Sequence, residues 1–204
     1  MKAVAWRVLL AAGLSLGGAA AKAATIHIAA FGDSNTAAFM VGADKGYPAD
    51  LEHILRARGH DVIVTDGGVS GARSADGVRT VDTLVPAGTD MAIVFFGRND
   101  HRWGVADAVT RANIDTIVKR LRARHIAVLL AGYWAYDFSA IARVDGAAYY
   151  PQFFDGVAVN GEKLPQYKLA FDPLQHLNAD GYRVVAARIA PAVEVLVKRI
   201  EAAR

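Results

Sequence analysis

No cysteine occurs in the 204 residues. That excludes a disulfide scaffold, a thiol nucleophile and thiolate metal sites, so the fold must stand on its hydrophobic core. The Gly-x-x-x-x-Gly-Lys-Ser/Thr loop of nucleotide hydrolases is missing, as are the His-x-x-x-His and His-Glu-x-x-His patterns of zinc-binding helices. The Gly-x-Ser-x-Gly elbow of α/β-hydrolases is missed by one position, in Gly68-Val69-Ser70-Gly71-Ala72. There is no internal repeat, linker or low-complexity tract.

A strong excess of charge is lacking too. The net charge of +3 comes from 23 Lys and Arg against 20 Asp and Glu. Lys2, Arg7 and Lys22 fall in the first 23 residues, which hold no acid, so the remainder carries 20 of each and is formally neutral. Such a balance argues against nucleic acid as a partner, which calls for a clustered basic face. The first segment itself reads as a secretory signal. Lys2 and Arg7 flank an apolar stretch at 8–21, and Ala21-Lys22-Ala23 offers small residues at both positions read by a signal peptidase. The expectation is a signal peptide over 1–23, one domain over 24–204, and a periplasmic or secreted location. The alternative, an uncleaved anchor, needs about 18 or more apolar residues, and this stretch is shorter.

What is present is a core and an alternation. The chain is 53% apolar, and about 180 residues after the signal suit one well-cored domain. Strand patterns fall at 25–31, 61–65, 90–96 and 126–131, and helix patterns at 47–58, 74–85, 105–124 and from 178 to about 201. Between 133 and 175 the pattern breaks up among aromatics, Gly and Pro, leaving a short helix at 139–143 and a weak strand within 149–154. Strands joined by helices of this length predict an α/β fold of three layers, α/β/α, on a mainly parallel sheet of four to five strands.

In such sheets ligands gather beyond the carboxyl ends of the strands, where strand order reverses. With order 2-1-3-4 that crevice receives Gly32-Asp33-Ser34-Asn35 from strand one and Gly97-Arg98-Asn99-Asp100 from strand three, with the glycine-rich 67–71 loop nearby. A hydroxyl, a side-chain amide and glycine N–H groups are the parts that acyl transfer requires, apart from a base. A plain strand-to-helix turn capped by Asp33 or Ser34 is the competing reading. Of six histidines, His27 falls within a strand, while His53, His60 and His125 fall in or beside helices and suit packed or solvated roles. His101 is a weak candidate. His176 precedes the last helix on a loop returning to the same sheet edge, with Asp172 four residues ahead. The competing reading is a helix-start histidine beside an Asn178 cap. A divalent cation on Asp33, Asp100 and His101 has no recognisable ligand spacing behind it.

Four blocks in order resemble the SGNH hydrolases, the GDSL esterase/lipase family: Gly32-Asp33-Ser34-Asn35, Ser70-Gly71-Ala72-Arg73-Ser74, Gly97-Arg98-Asn99-Asp100, and His176-Leu177-Asn178-Ala179-Asp180-Gly181-Tyr182. Their spacing is most similar to the exported arylesterase, acyl-CoA thioesterase and lysophospholipase branch. The resemblance implies a flavodoxin-like sheet, Ser34 as nucleophile, His176 as base, and an oxyanion hole of Ser34 N–H, Gly71 N–H and the Asn99 side chain. It brings no metal or organic cofactor. It implies a small-molecule or lipid ester as substrate, leaves open transient contact with membrane lipid, and sets no oligomeric state.

Three departures stand out. Leu177 replaces the family's Pro. Arg98 replaces a small residue and makes the substrate rim more cationic. The family acid lies three residues before the His, where this chain has Pro173, with Asp172 one residue further back. Either the loop carries an extra residue and Asp172 completes a triad, or a backbone carbonyl orients His176. Residues 155–171 also fit the family poorly. The expected activity is serine-dependent hydrolysis of carboxylic esters, including thioesters or lysophospholipids. The alternatives are a deacetylase of acetylated glycans and a non-catalytic relative that keeps the cleft.

Overall fold

A computed structural model describes residues 24–204; the expected signal segment at 1–23 lies outside the described residues. Five parallel strands form one sheet in the order β2-β1-β3-β4-β5: β1 (Ile26–Gly32), β2 (Val62–Gly68), β3 (Met91–Phe95), β4 (Ala127–Ala131) and β5 (Ala148–Tyr150). The fifth strand starts just ahead of the stretch expected for it. In β1, Ile28 to Gly32 are buried on both sides of the pleat, as a sheet covered on both faces demands.

The covering helices are α1 (Tyr47–Ala57), α2 (Ser74–Leu84), α3 (Arg98–Arg102), α4 (Asp107–Ala123), α5 (Ser139–Val144) and α6 (Ala179–Ala202). α1 packs against α6, and α2 against α4. The chain runs from β1 outward to β2 through α1, and from β3 the opposite way to β4 through α4. Right-handed crossovers then place those two helices on opposite faces. Four long helices thus make the two outer layers, and strand order reverses between β1 and β3.

A short helix, a hairpin and two 3-10 turns (Ala43–Lys45 and Pro165–Tyr167) were not expected. α3 is a single short helix that begins at the end of β3, after Gly97 in the left-handed region (φ 106°). A two-stranded antiparallel hairpin, β6 (Ala158–Val159) and β7 (Glu162–Lys163), lies within the irregular 133–175 stretch. Asn160 and Gly161 turn it, both at positive φ (51° and 83°). That is the two-residue turn whose twist suits a tight hairpin.

Candidate active site

The nucleophile candidate is set by how closely the chain crosses the sheet edge. After Gly32 the chain turns at Asp33, whose carbonyl accepts the N–H groups of Thr36 and Ala37 (both 3.0 Å). A Cβ on Gly32 would come within 2.6 Å of the Phe95 carbonyl oxygen, and one on Gly68 within 2.2 Å of the Ala37 nitrogen. These glycines let the 33–37 turn lie against the ends of β2 and β3, fixing Ser34 at the switch point. Asp33 is buried, and its Oδ1 accepts the Asn35 backbone N–H (2.8 Å) and Asn35 Nδ2 (2.9 Å). Burial pushes Asp33 up; the Asn35 hydrogen bonds and the Arg98 and Lys163 cations oppose it.

His176 arrives from the other end of the chain. Its Nε2 lies 2.8 Å from Ser34 Oγ and its Nδ1 2.7 Å from Asp172 Oδ2. A carboxylate only accepts, so Nδ1 carries the proton and Nε2 presents its lone pair to the serine hydroxyl. The segment between acid and base is tightly wound. Asp172 Oδ2 also accepts the His176 backbone N–H (2.5 Å), Oδ1 accepts Leu174 N–H (3.0 Å), and the Asp172 carbonyl accepts Gln175 N–H (3.0 Å). Gln175 takes the extra residue in a left-handed conformation (φ 55°). A displaced acid with a backbone carbonyl in its place is therefore not what the geometry shows.

Electrostatics separate the two groups. Burial would raise the Asp172 carboxyl, but hydrogen bonds from the His176 and Leu174 N–H groups and from the imidazole outweigh it and hold it below the usual carboxylate range. Burial pulls His176 down and Lys163 adds to that, while Asp172 and Asp33 act against it. The resting pair is a carboxylate beside a neutral imidazole.

Three residues that line the cleft with this hydroxyl, Ser34, Gly71 and Asn99, carry N–H donors. The Ser34 and Gly71 backbone N–H groups have no acceptor among the described residues. Asn99 Nδ2 donates to the Ala72 carbonyl (2.8 Å), which orients the amide and leaves its second hydrogen free. Gly71 is in the left-handed region (φ 80°). Ser34, Gly71, Asn99 and His176 line one cleft with Phe39, Ser70, Arg98, Arg102 and Leu174.

The other candidates lie elsewhere. Asp100 is buried and tied to the start of α2, accepting Ser74 N–H (2.9 Å) and Ser74 Oγ–H (2.5 Å). His101 is exposed and sits edge-on to Trp134. Among the described residues no group of three or more His, Cys, Asp or Glu could hold a metal ion. Asn178 does cap α6, accepting Gly181 N–H (2.9 Å), so the cap and the His176 placement coexist.

Sequence reasoning missed Lys163, Phe39 and Arg102. Lys163 is 5% exposed, and its Nζ lies 2.8 Å from the Gln175 carbonyl oxygen, 3.4 Å from Asn35 Oδ1 and 4.4 Å from the Phe154 ring centre. The Asn160-Gly161 pair marked the hairpin that carries it, and that signal was open to reading. Phe39 packs its ring 4.8 Å from that of His176.

Comparison with known proteins bears on this geometry. The model of the GDSL-like Lipase/Acylhydrolase family matches residues 30–184. Esterase TesA of Pseudomonas aeruginosa is 31% identical over 153 residues, spanning 67% of this chain and 75% of the relative. An arylesterase of Vibrio mimicus is 27% identical over 104 residues, about half of either chain (50% and 52%). A crystal structure of TesA superposes with a TM-score of 0.72 at 25% identity, covering 83% of this chain and 99% of that one. AlinE4, described as an SGNH-hydrolase family esterase, does so at 0.66 and 28% identity, covering 84% and 96%.

Proposed function

The chain belongs to the GDSL-like lipase/acylhydrolase family and is an ester-hydrolysing enzyme, and we propose that Ser34, His176 and Asp172 are its catalytic residues. The observation that carries the assignment is the unbroken line Asp172 Oδ2, His176 and Ser34 Oγ, with contacts of 2.7 and 2.8 Å. Ser34 Oγ attacks the acyl carbonyl as its proton passes to His176 Nε2. Asp172 holds Nδ1–H and stabilises the imidazolium so formed. The oxyanion is met by the N–H groups of Ser34 and Gly71 and by the free hydrogen of Asn99 Nδ2. Losing one such donor costs about 3–4 kcal/mol in a comparable site. The imidazolium then protonates the departing alcohol. Water, deprotonated by His176, attacks the acyl-enzyme, and the carboxylic acid leaves with Ser34 restored.

The cleft beside Ser34 is lined by the apolar Phe39 and Leu174 and by the cationic Arg98 and Arg102. This supports carboxylic esters whose acyl or alcohol part carries both characters, lysophospholipids and thioesters included. The relatives named esterase and arylesterase favour ester hydrolysis over glycan deacetylation or binding alone. No helix of the described residues is long and apolar enough to cross a membrane. The enzyme is proposed to be exported, with 24–204 as its single mature domain; amino-terminal sequencing of the extracellular or periplasmic protein should begin at or near Ala24.

The test is turnover of p-nitrophenyl acetate together with fluorophosphonate labelling. One label per chain at Ser34, with turnover abolished in Ser34→Ala, is the expected result. Labelling at Ser70, Ser74 or Ser139 overturns the assignment.

A further inference from the structure

A buried ammonium sits behind the acid–base segment, and stability gives no reason for it. Lys163 belongs to β7 and is 5% exposed. Desolvating a cation costs several kcal/mol, and its partners are two neutral oxygens and a ring face. A methionine of similar length would fill the same space without that cost.

Its contacts join the two halves of the site. Nζ donates to the Gln175 carbonyl (2.8 Å), one residue before His176, and approaches Asn35 Oδ1 (3.4 Å), one residue after Ser34. Arg98 does the same from a different element, its Nη2 donating to the Leu174 carbonyl (3.1 Å). Both cations lie over one aromatic ring, Phe154, with Lys163 Nζ at 4.4 Å and Arg98 Cζ at 5.6 Å from its centre. Consecutive carbonyls, 174 and 175, are thus gripped by two cations that share one ring. They flank the residue that absorbs the additional spacing between acid and base, Gln175, whose left-handed backbone (φ 55°) is unfavourable for a side chain with a Cβ.

We propose that Lys163 is a positioning residue: with Arg98 and Phe154 it clamps the 172–176 segment and ties it to the Ser34 turn, so that Asp172 and His176 hold reacting geometry despite the extra residue between them. The proposal rests on the assignment of Ser34 and His176 given above. It also has an electrostatic consequence. The charged groups facing His176 are Asp172, Lys163 and Asp33, and those facing Lys163 are Arg98, Asp33, Asp172 and Lys168. Lys163 is pulled down to about 7, chiefly by burial, and His176 lies below its ordinary value. Over the range where the imidazole takes up its proton, Lys163 is therefore still a cation and opposes that uptake.

Two variants separate the hydrogen bond from the charge. Lys163→Met removes both, and Lys163→Gln keeps a donor for the Gln175 carbonyl. For Lys163→Met the expected result is a fall in kcat of about 10- to 100-fold, the scale of a small misplacement of reacting groups. KM should stay within about twofold, because ground-state binding is not what is lost. The acid limb of the kcat/KM profile should move to higher pH in both variants, since imidazolium no longer faces a cation. Lys163→Gln should regain most of kcat while keeping the displaced limb. Parental kcat and an unmoved acid limb in Lys163→Met overturn the proposal, as does a loss confined to KM. If Lys163→Met does not fold, Lys163→Leu takes its place with the same readouts: a fall in kcat at steady KM that Lys163→Gln largely restores supports the clamp, and parental kcat overturns it. Failure of the parent to turn over ester or to label at Ser34 is a separate result, which removes the underlying assignment.

Discussion

Asp172 reaches the His176 ring at 2.7 Å across Pro173, over four residues of chain, because Gln175 turns left-handed between them. Proline locks Asp172 toward an extended backbone, so the compensating curvature falls on the residues after it. Two carboxylate oxygens accepting backbone N–H groups from Leu174 and His176 close the segment on itself.

Asp172→Asn should lower kcat by about 10²- to 10⁴-fold with little change in KM, since the amide cannot hold the required tautomer or stabilise the imidazolium. Steady-state kinetics on p-nitrophenyl acetate checks this. Activity within a few-fold of the parent, with His176→Ala inactive, would mean that serine and histidine work as a dyad.

Arg98 has two duties that one substitution can separate. It lines the cleft and donates to the Leu174 carbonyl. Arg98→Ala should therefore lower kcat on every ester, and raise KM only for esters bearing a negative group, as a permanent cation is lost from the rim. The comparison uses anionic and neutral esters of equal acyl length. Equal KM changes on both would remove the role in substrate charge selection.

Gly68→Ala places a Cβ 2.2 Å from the Ala37 nitrogen and 2.7 Å from the Thr36 carbonyl carbon. These are backbone atoms of the turn that carries Ser34, and they can move only by shifting it. The expected loss is about 1–3 kcal/mol of stability from overpacking, and a fall in kcat that outlasts correction for the unfolded fraction. Urea unfolding and kinetics at low temperature measure the two separately.

Burial of Lys163 makes stability depend on pH in a set direction. Its folded value is about 7 against about 10.4 in an unfolded chain. Between those values the unfolded state holds more protons, so this group makes stability rise with pH. Its destabilising effect is complete below about pH 7, where the ammonium must be buried charged, and fades toward about pH 10. Lys163→Met should accordingly be more stable than the parent in mild acid, with the difference shrinking as pH is raised. Urea midpoints across that window provide the measurement. A constant difference would mean that Lys163 titrates normally.

Local chemistry in the sequence was sufficient for the sheet, the four long helices and the set of polar groups at its edge. Apolar runs such as 91–95 and periodic helices such as 107–123 state their own burial, since strand and helix differ in the spacing at which they repeat. Ser34, Gly71 and Asn99 were legible as neighbours because topology delivers the ends of β1, β2 and β3 to one edge, while their roles, and that of His176 on the loop before α6, were what the family resemblance implied. Asp172 was found as a residue but not as a contact. Whether it reached the ring turned on the φ of Gln175, and no pattern of residue types encodes a single left-handed Gln. Lys163 was invisible for a different reason. It lies 128 residues from Asn35, and only the folding of the 158–163 hairpin over the sheet edge brings its ammonium to the Gln175 carbonyl. A buried cation is defined by what surrounds it, and those surroundings come from four separate segments of chain that meet only in the tertiary structure.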